Sequence, residues 1–143
     1  MITHPRRSPG RTPSLASSID LGSTLMDLCD VAPHDGVQGR SLVPVLDDPN
    51  AAFRDHVLIE DGIRSALDAR RGLPTRTRTI VSDEGWKYTR NGLGETMLFD
   101  LPSDPDELHE LGHLDVDRRA RADSVLVEAL MNATDEARGA PVG

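Results

Sequence analysis

Thr77-Arg78-Thr79-Ile80-Val81-Ser82, then Asp83-Glu84-Gly85, then Trp86-Lys87-Tyr88-Thr89 is the stretch that decides the fold. β-Branched and aromatic residues fill both outer runs, and such side chains fit a pleated, half-buried surface. The three residues between them place Gly where a hairpin turn wants a positive φ. Two strands joined by a tight turn are therefore expected. Upstream, His56-Val57-Leu58-Ile59-Glu60 is an apolar run bounded by charges and reads as another strand. Downstream, Asn91-Gly92-Leu93-Gly94 leads into a further strand from Thr96 to Leu101. Short glycine-containing connections predict an antiparallel meander. The segment Gly62 to Pro74, which carries Arg64, Arg70 and Arg71, is a longer connection before that three-stranded meander.

Outside the sheet, residues 1–16 hold three prolines and no period of 2 or 3.6, so they read as an irregular lead-in, mobile on its own. Ser17 and Ser18 are placed to cap a helix whose apolar residues Ile19, Leu21, Leu25, Met26, Leu28 and Cys29 form one broad face. Cys29 among them reads as a buried small hydrophobe. Ser41-Leu42-Val43-Pro44-Val45-Leu46 has the apolar density of a short buried helical turn, with Ser41 as its cap and Pro44 near its start. Gly39, just before, suggests a turn conformation that only glycine accepts cheaply. Asp104-Pro105 ends the last strand and opens a helix, with Asp106 and Glu107 at its positive end. From Asp115 to about Ala137, the residues Val116, Ala120, Val125, Leu126, Ala129, Leu130 and Ala133 recur at helical spacing. The predicted fold class is α+β: a leading helix, a small antiparallel sheet of about four strands, and a C-terminal helix packed on the sheet.

Composition narrows the function classes. A chain of 143 residues has room for one modest core. With only four aromatic residues, that core must be built mainly of aliphatic side chains. A formal charge of −8 opposes a nucleic-acid partner, because a phosphate backbone is bound through basic surface. Lys87 is the only lysine among sixteen basic residues, the rest being arginine. No run approaches the roughly 20 apolar residues that cross a bilayer, so no membrane partner is expected. Arg6-Arg7 is followed by no apolar stretch of export-signal length, so a cytoplasmic location is the default expectation. His4, His34 and His56 lack metal-ligand spacing and read as surface or capping residues.

Strung together, several short pieces resemble the sulfatase family. They are Ser18-Ile19-Asp20-Leu21, Thr24-Leu25-Met26-Asp27-Leu28 and Val37-Gln38-Gly39-Arg40-Ser41-Leu42-Val43-Pro44-Val45-Leu46. Downstream come Arg78-Thr79-Ile80, Trp86-Lys87-Tyr88-Thr89, and Leu98-Phe99-Asp100-Leu101 with Asp104-Pro105-Asp106-Glu107 and Leu111. Their order agrees with that family over roughly residues 17 to 111. Ser23 stands where many relatives have proline. The resemblance implies a subdomain from 17 to 143 that follows the catalytic domain of an alkaline-phosphatase-like enzyme, with residues 1–16 a remnant of that domain.

The resemblance also implies what the full-length family uses: a Cys or Ser in Cys/Ser-x-Pro-x-Arg, oxidised to formylglycine, and a calcium-like divalent cation held by Asp and Asn. Neither is expected here. Cys29 is followed by Asp30-Val31-Ala32-Pro33, with proline too late and no arginine. Ester hydrolysis at such a site needs both an activated nucleophile and a charge-stabilising cation. The expectation is therefore a sulfuric ester hydrolase by descent, in a truncated or split form that is inactive alone, with no catalytic residue and no metal ligand in this chain. Arg64, Arg70 and Arg71 are candidates for substrate contact, since guanidinium groups pair well with sulfate oxygens.

Two rivals stand beside this reading. His109-Glu110-Leu111-Gly112-His113 matches His-Glu-x-x-His, in which two histidines bind zinc and the glutamate acts as base. Against it, Val116 and Arg119 stand where the metzincin continuation needs Gly and His, and Gly112 interrupts the helix the pattern requires. The other rival is a non-enzymatic interaction module. A subdomain separated from its catalytic domain would expose an apolar face from Ile19, Leu25, Leu42, Val43 and Val45. Through that face it would associate with itself or dock onto a separate catalytic part.

Overall fold

A computed structural model describes residues 10–62 and 76–137, with the side chains of 135–137 outside the description. The chain divides into two compact units, residues 10–55 with 132–137 in one and 56–131 in the other.

The second unit holds the sheet. Strands β1 (His56–Asp61), β2 (Thr77–Ser82), β3 (Trp86–Asn91) and β4 (Thr96–Asp100) lie in the order β1-β2-β3-β4. Every neighbouring pair is antiparallel. The β2–β3 turn closes with Gly85 at φ +87, its N–H donating to Ser82 C=O at 3.0 Å, so the glycine sits where the sequence asks for a positive φ. The β3–β4 turn is held by Asn91, whose Oδ1 accepts the N–H groups of Leu93 and Glu95 at 2.9 and 3.0 Å.

The register places Leu58 beside Ile80, Ile80 beside Tyr88, and Tyr88 beside Leu98. Because side chains alternate along a strand, these four line a single face. Helix α3 (Val116–Ala137) packs there, with Ala122, Leu126 and Ala129 buried among Ile80, Trp86, Tyr88 and Leu98. The spacing of four and then three residues is that of one helical stripe. Small Ala122 and Ala129 flank the single large Leu126, which lets the helix sit close to the pleat. Val116 and Ala120, expected on the buried stripe, are exposed. Asp115 caps α3, its Oδ1 accepting the Arg118 N–H at 3.0 Å. The expected antiparallel sheet and the C-terminal helix packed on it are thus both present.

One expected helix is not. Residues 101–115 form a series of turns in which Asp104 accepts the N–H groups of Leu108 and His109 at 3.1 and 2.8 Å, and Glu107 takes φ +57. A side-chain acceptor that satisfies donors four and five residues on competes with the helical ladder, and here it wins.

In the first unit, α1 (Asp20–Leu28) and α2 (Val43–Asp47) pack together. Pro44 lies in the first turn of α2, and the Ser41 hydroxyl accepts the Val43 N–H at 3.2 Å. Residues 10–16 form no helix or strand, yet Thr12 Oγ1 and Ser14 Oγ donate to the carbonyls of Pro49 and Ala51 at 2.7 and 3.1 Å, so residues 12–14 are tied down.

Helix α1 differs most from expectation. Its N-cap is Ile19 with no side-chain cap, so neither Ser17 nor Ser18 plays that part. Instead Asp20 reaches back, its Oδ2 accepting the Ser17 N–H at 2.8 Å. The buried residues of α1 are Asp20, Ser23 and Thr24, while Ile19, Leu21, Leu25 and Cys29 are exposed. Four of the six expected apolar residues therefore point outward, Cys29 among them, while Met26 and Leu28 are half-buried. Gly39 is needed for closeness rather than for conformation, since a Cβ there would lie 2.2 Å from Ile19 O and 2.7 Å from Ser23 Oγ.

Leu126, 1% exposed, sits at the centre of the core. Leu126→Ala should lower unfolding stability by about 2–5 kcal/mol. Leu93→Ala, at an exposed turn position, should stay within about 0.5 kcal/mol of the unaltered chain. Urea unfolding followed by circular dichroism measures both.

Candidate functional site

The first unit is organised around Asp20, whose side chain has no exposed surface. Its Oδ1 accepts the Arg40 N–H at 2.8 Å and a bond from Arg54 NH2; its Oδ2 accepts Ser17 N–H and Arg54 Nε at 2.8 and 3.3 Å. Burial alone would raise its pKa, but the Arg54 guanidinium and the Arg40 and Ser17 N–H groups outweigh that and hold the carboxyl below its ordinary 3.8. Thr24 extends the cluster, donating to Asp20 C=O at 2.6 Å and accepting the Leu42 N–H at 2.9 Å. A carboxylate with this many donors has no lone pair left for chemistry. It joins the start of α1 to residues 40 and 54.

The second unit has its own polar hub. Tyr88 OH donates to Asp123 Oδ1 at 2.8 Å, and Arg90 NH1 reaches both Asp123 oxygens at 2.8 and 3.0 Å. Burial and then the bond to Asp123 push the Tyr88 phenol from 10.0 up to about 12. Asp123 is raised by burial but lowered further by Tyr88 and Arg90, so its pKa falls overall. This hub pins β3 to α3. Neither hub was visible in the sequence, where Asp20 and Asp123 look like ordinary helix-surface acids.

The zinc-type pattern resolves into backbone support. His109 and His113 are exposed on turns, not one helical turn apart on a single face. Glu110 Oε1 accepts the Leu98 and Gly112 N–H groups at 3.0 and 2.6 Å. Among the described residues no three His, Cys, Asp or Glu side chains gather as a metal site. Arg64, Arg70 and Arg71 lie outside the described residues, as does His4. His34 Nδ1 lies 2.9 Å from Asp35 O.

What remains as a candidate site is a surface. Leu21, Leu25 and Cys29 stand four residues apart on α1 and share one stripe, with Ile19 and Val31 exposed at its ends. Leu25 is 64% exposed. Of the other residues expected on such a face, Leu42 and Val45 are buried and Val43 is half-buried, because α2 turns them inward. Among the described residues no helix is long and apolar enough to cross a membrane.

Two tests follow from the hubs. Asp20→Ala leaves the largely buried Arg54 unpaired and should cost about 3–5 kcal/mol in urea unfolding. With its folded-state pKa depressed, Asp20 contributes fully above pH 3.8, and that contribution is lost as pH falls through the lower folded value. Asp20→Asn should therefore flatten the acid limb of the stability profile. Tyr88 is the only tyrosine, so phenolate absorbance reports it alone. The folded chain should titrate near about 12 and the unfolded chain near 10.0, with Asp123→Asn lowering the folded value. The stability that Tyr88 supplies is present below pH 10.0 and lost as pH rises through about 12.

No protein-family profile matches the chain. Arylsulfatase K of Xenopus laevis is 32% identical over 115 residues, covering 76% of this chain and 21% of that protein. The phosphonate monoester hydrolase of Agrobacterium radiobacter superposes with a TM-score of 0.69 at 24% identity, over 80% of this chain and 24% of that one. A 2-O GAG sulfatase superposes at 0.63 with 21% identity, over 87% of this chain and 26% of that one. These superpositions carry the fold; the arylsulfatase carries the sequence. The chain spans 21% of that relative's length. In sequence the chain is thus similar to part of an arylsulfatase, and in fold it matches the C-terminal portion of sulfatase-type enzymes.

Proposed function

We propose that this chain serves sulfuric ester hydrolysis as the C-terminal subdomain of a sulfatase, and that it is inactive alone. The formylglycine nucleophile and the divalent cation belong, on this reading, to the part of such an enzyme that precedes it. The carrying observation is the inverted polarity of α1, which buries Asp20 and turns Leu21, Leu25 and Cys29 outward. Isolated apolar side chains are ordinary on protein surfaces, but a contiguous stripe marks a packing face. Its occupant is the catalytic domain. Burying the stripe there gives the chain a structural task, while chemistry on the ester stays with groups this sequence lacks. Arg64, Arg70 and Arg71 add a second task, pairing with sulfate oxygens at the edge of the cleft, on the strength of guanidinium chemistry alone.

Two measurements test this. The purified chain should leave a chromogenic aryl sulfate and a phosphonate monoester unhydrolysed; turnover beyond what contaminants explain would overturn the proposal. Leu21→Ser with Leu25→Ser should sharply reduce binding of a fluorescent apolar-surface dye while the circular dichroism spectrum holds. A chain that binds no such dye before substitution has no docking stripe.

A further inference from the structure

The β4 strand lies at one edge of the sheet, and an edge strand offers unpaired backbone groups to any chain that meets it. This edge is already occupied. Leu98 donates its N–H to Glu110 Oε1 at 3.0 Å and accepts the Leu111 N–H at 2.8 Å. Two residues on, Asp100 C=O accepts the Asp104 N–H at 2.8 Å. The covering segment is itself clamped. Asp104 holds the N–H groups of Leu108 and His109, and Lys87 Nζ holds both Glu107 oxygens at 2.8 and 2.6 Å. Gly112 donates to the same Glu110 oxygen, and a Cβ at that position would stand 2.5 Å from it, so a side chain at 112 would push the carboxylate from its present place.

We infer that Asp104–Gly112 is a guard that keeps β4 from pairing with β4 of a second copy of this chain, with the Glu110 carboxylate as its catch. This goes beyond the proposed role in ester hydrolysis and does not depend on it. Self-pairing is the hazard because of what β4 contains. Thr96-Met97-Leu98-Phe99-Asp100 has one charge, no proline and no glycine, the pattern of a segment that adds readily to its own kind. A two-fold axis through Leu98 sets Leu98 against its counterpart and Thr96 against Asp100, residues of like parity, so matching faces meet. Half-exposed Met97 then adds apolar contact on the other face.

Glu110→Asp tests this with little disturbance: the shorter carboxylate keeps its charge and its reach to Gly112, two residues away, but not to Leu98. Hydrogen exchange at the Leu98 amide should quicken by at least about tenfold, and light scattering should show a dimer that grows with concentration. Glu110→Gln keeps the acceptor and should match the unaltered chain in both. Adding Thr96→Asp to Glu110→Asp should return the mass to that of the unaltered chain, because the two-fold sets residue 96 against Asp100 of the second copy and like charges directly opposite oppose pairing. Unchanged Leu98 exchange, quickened exchange without added mass, or association that survives Thr96→Asp would each overturn the inference. So would loss of the fold in Glu110→Asp, since a guard that opens leaves the sheet standing.

Discussion

A carboxylate with no exposed surface has to be met by donors on every side, and Asp20 imposes that requirement on everything near it. Arg54 must come in from residue 54, the backbone must turn at Arg40 to present its N–H, and Gly39 must lack a side chain so that the turn can lie on α1. Once those groups occupy one side of the helix, its apolar residues have only the other side left. Outward-facing Leu21 and Leu25 are thus a consequence of a buried charge rather than a fault in amphipathic design.

That inversion explains why the sequence was legible in the sheet and misleading at α1. The strands were readable because β-branched runs, a glycine turn and an asparagine turn all agree, and β2 falls on the residues expected. The C-terminal helix was readable because apolar residues recur along it at helical spacing, and of those expected Val125, Leu126, Ala129 and Leu130 do pack on the sheet. At α1 the same apolar pattern is present, but hydrophobic periodicity assumes that the apolar side faces this chain's own interior. A side shaped for another surface carries an identical signal.

Residues 104–113 fail for a different reason. Asp-Pro followed by acids is a sound helix-start signal, and His-Glu-x-x-His is a recognised zinc pattern, yet both depend on a backbone that is free to wind. Here two carboxylates, Asp104 and Glu110, take backbone N–H groups that a helix would have used. Nothing in the order of residues announces that a glutamate will bond to a strand twelve positions earlier. The polar hubs at Asp20 and Asp123 were hidden in the same way, since a partner 34 or 35 residues distant leaves no local trace.

Trp86, Lys87 and Tyr88 are neighbours on β3 and are also the only tryptophan, lysine and tyrosine in the chain. Indole emission, phenol absorbance and any tag placed on a side-chain amine thus all originate from one strand at the centre of the sheet. An experiment that follows only these side-chain signals observes a single address, and loosening around α1 would reach it only through backbone circular dichroism, an added dye or a chromophore installed there.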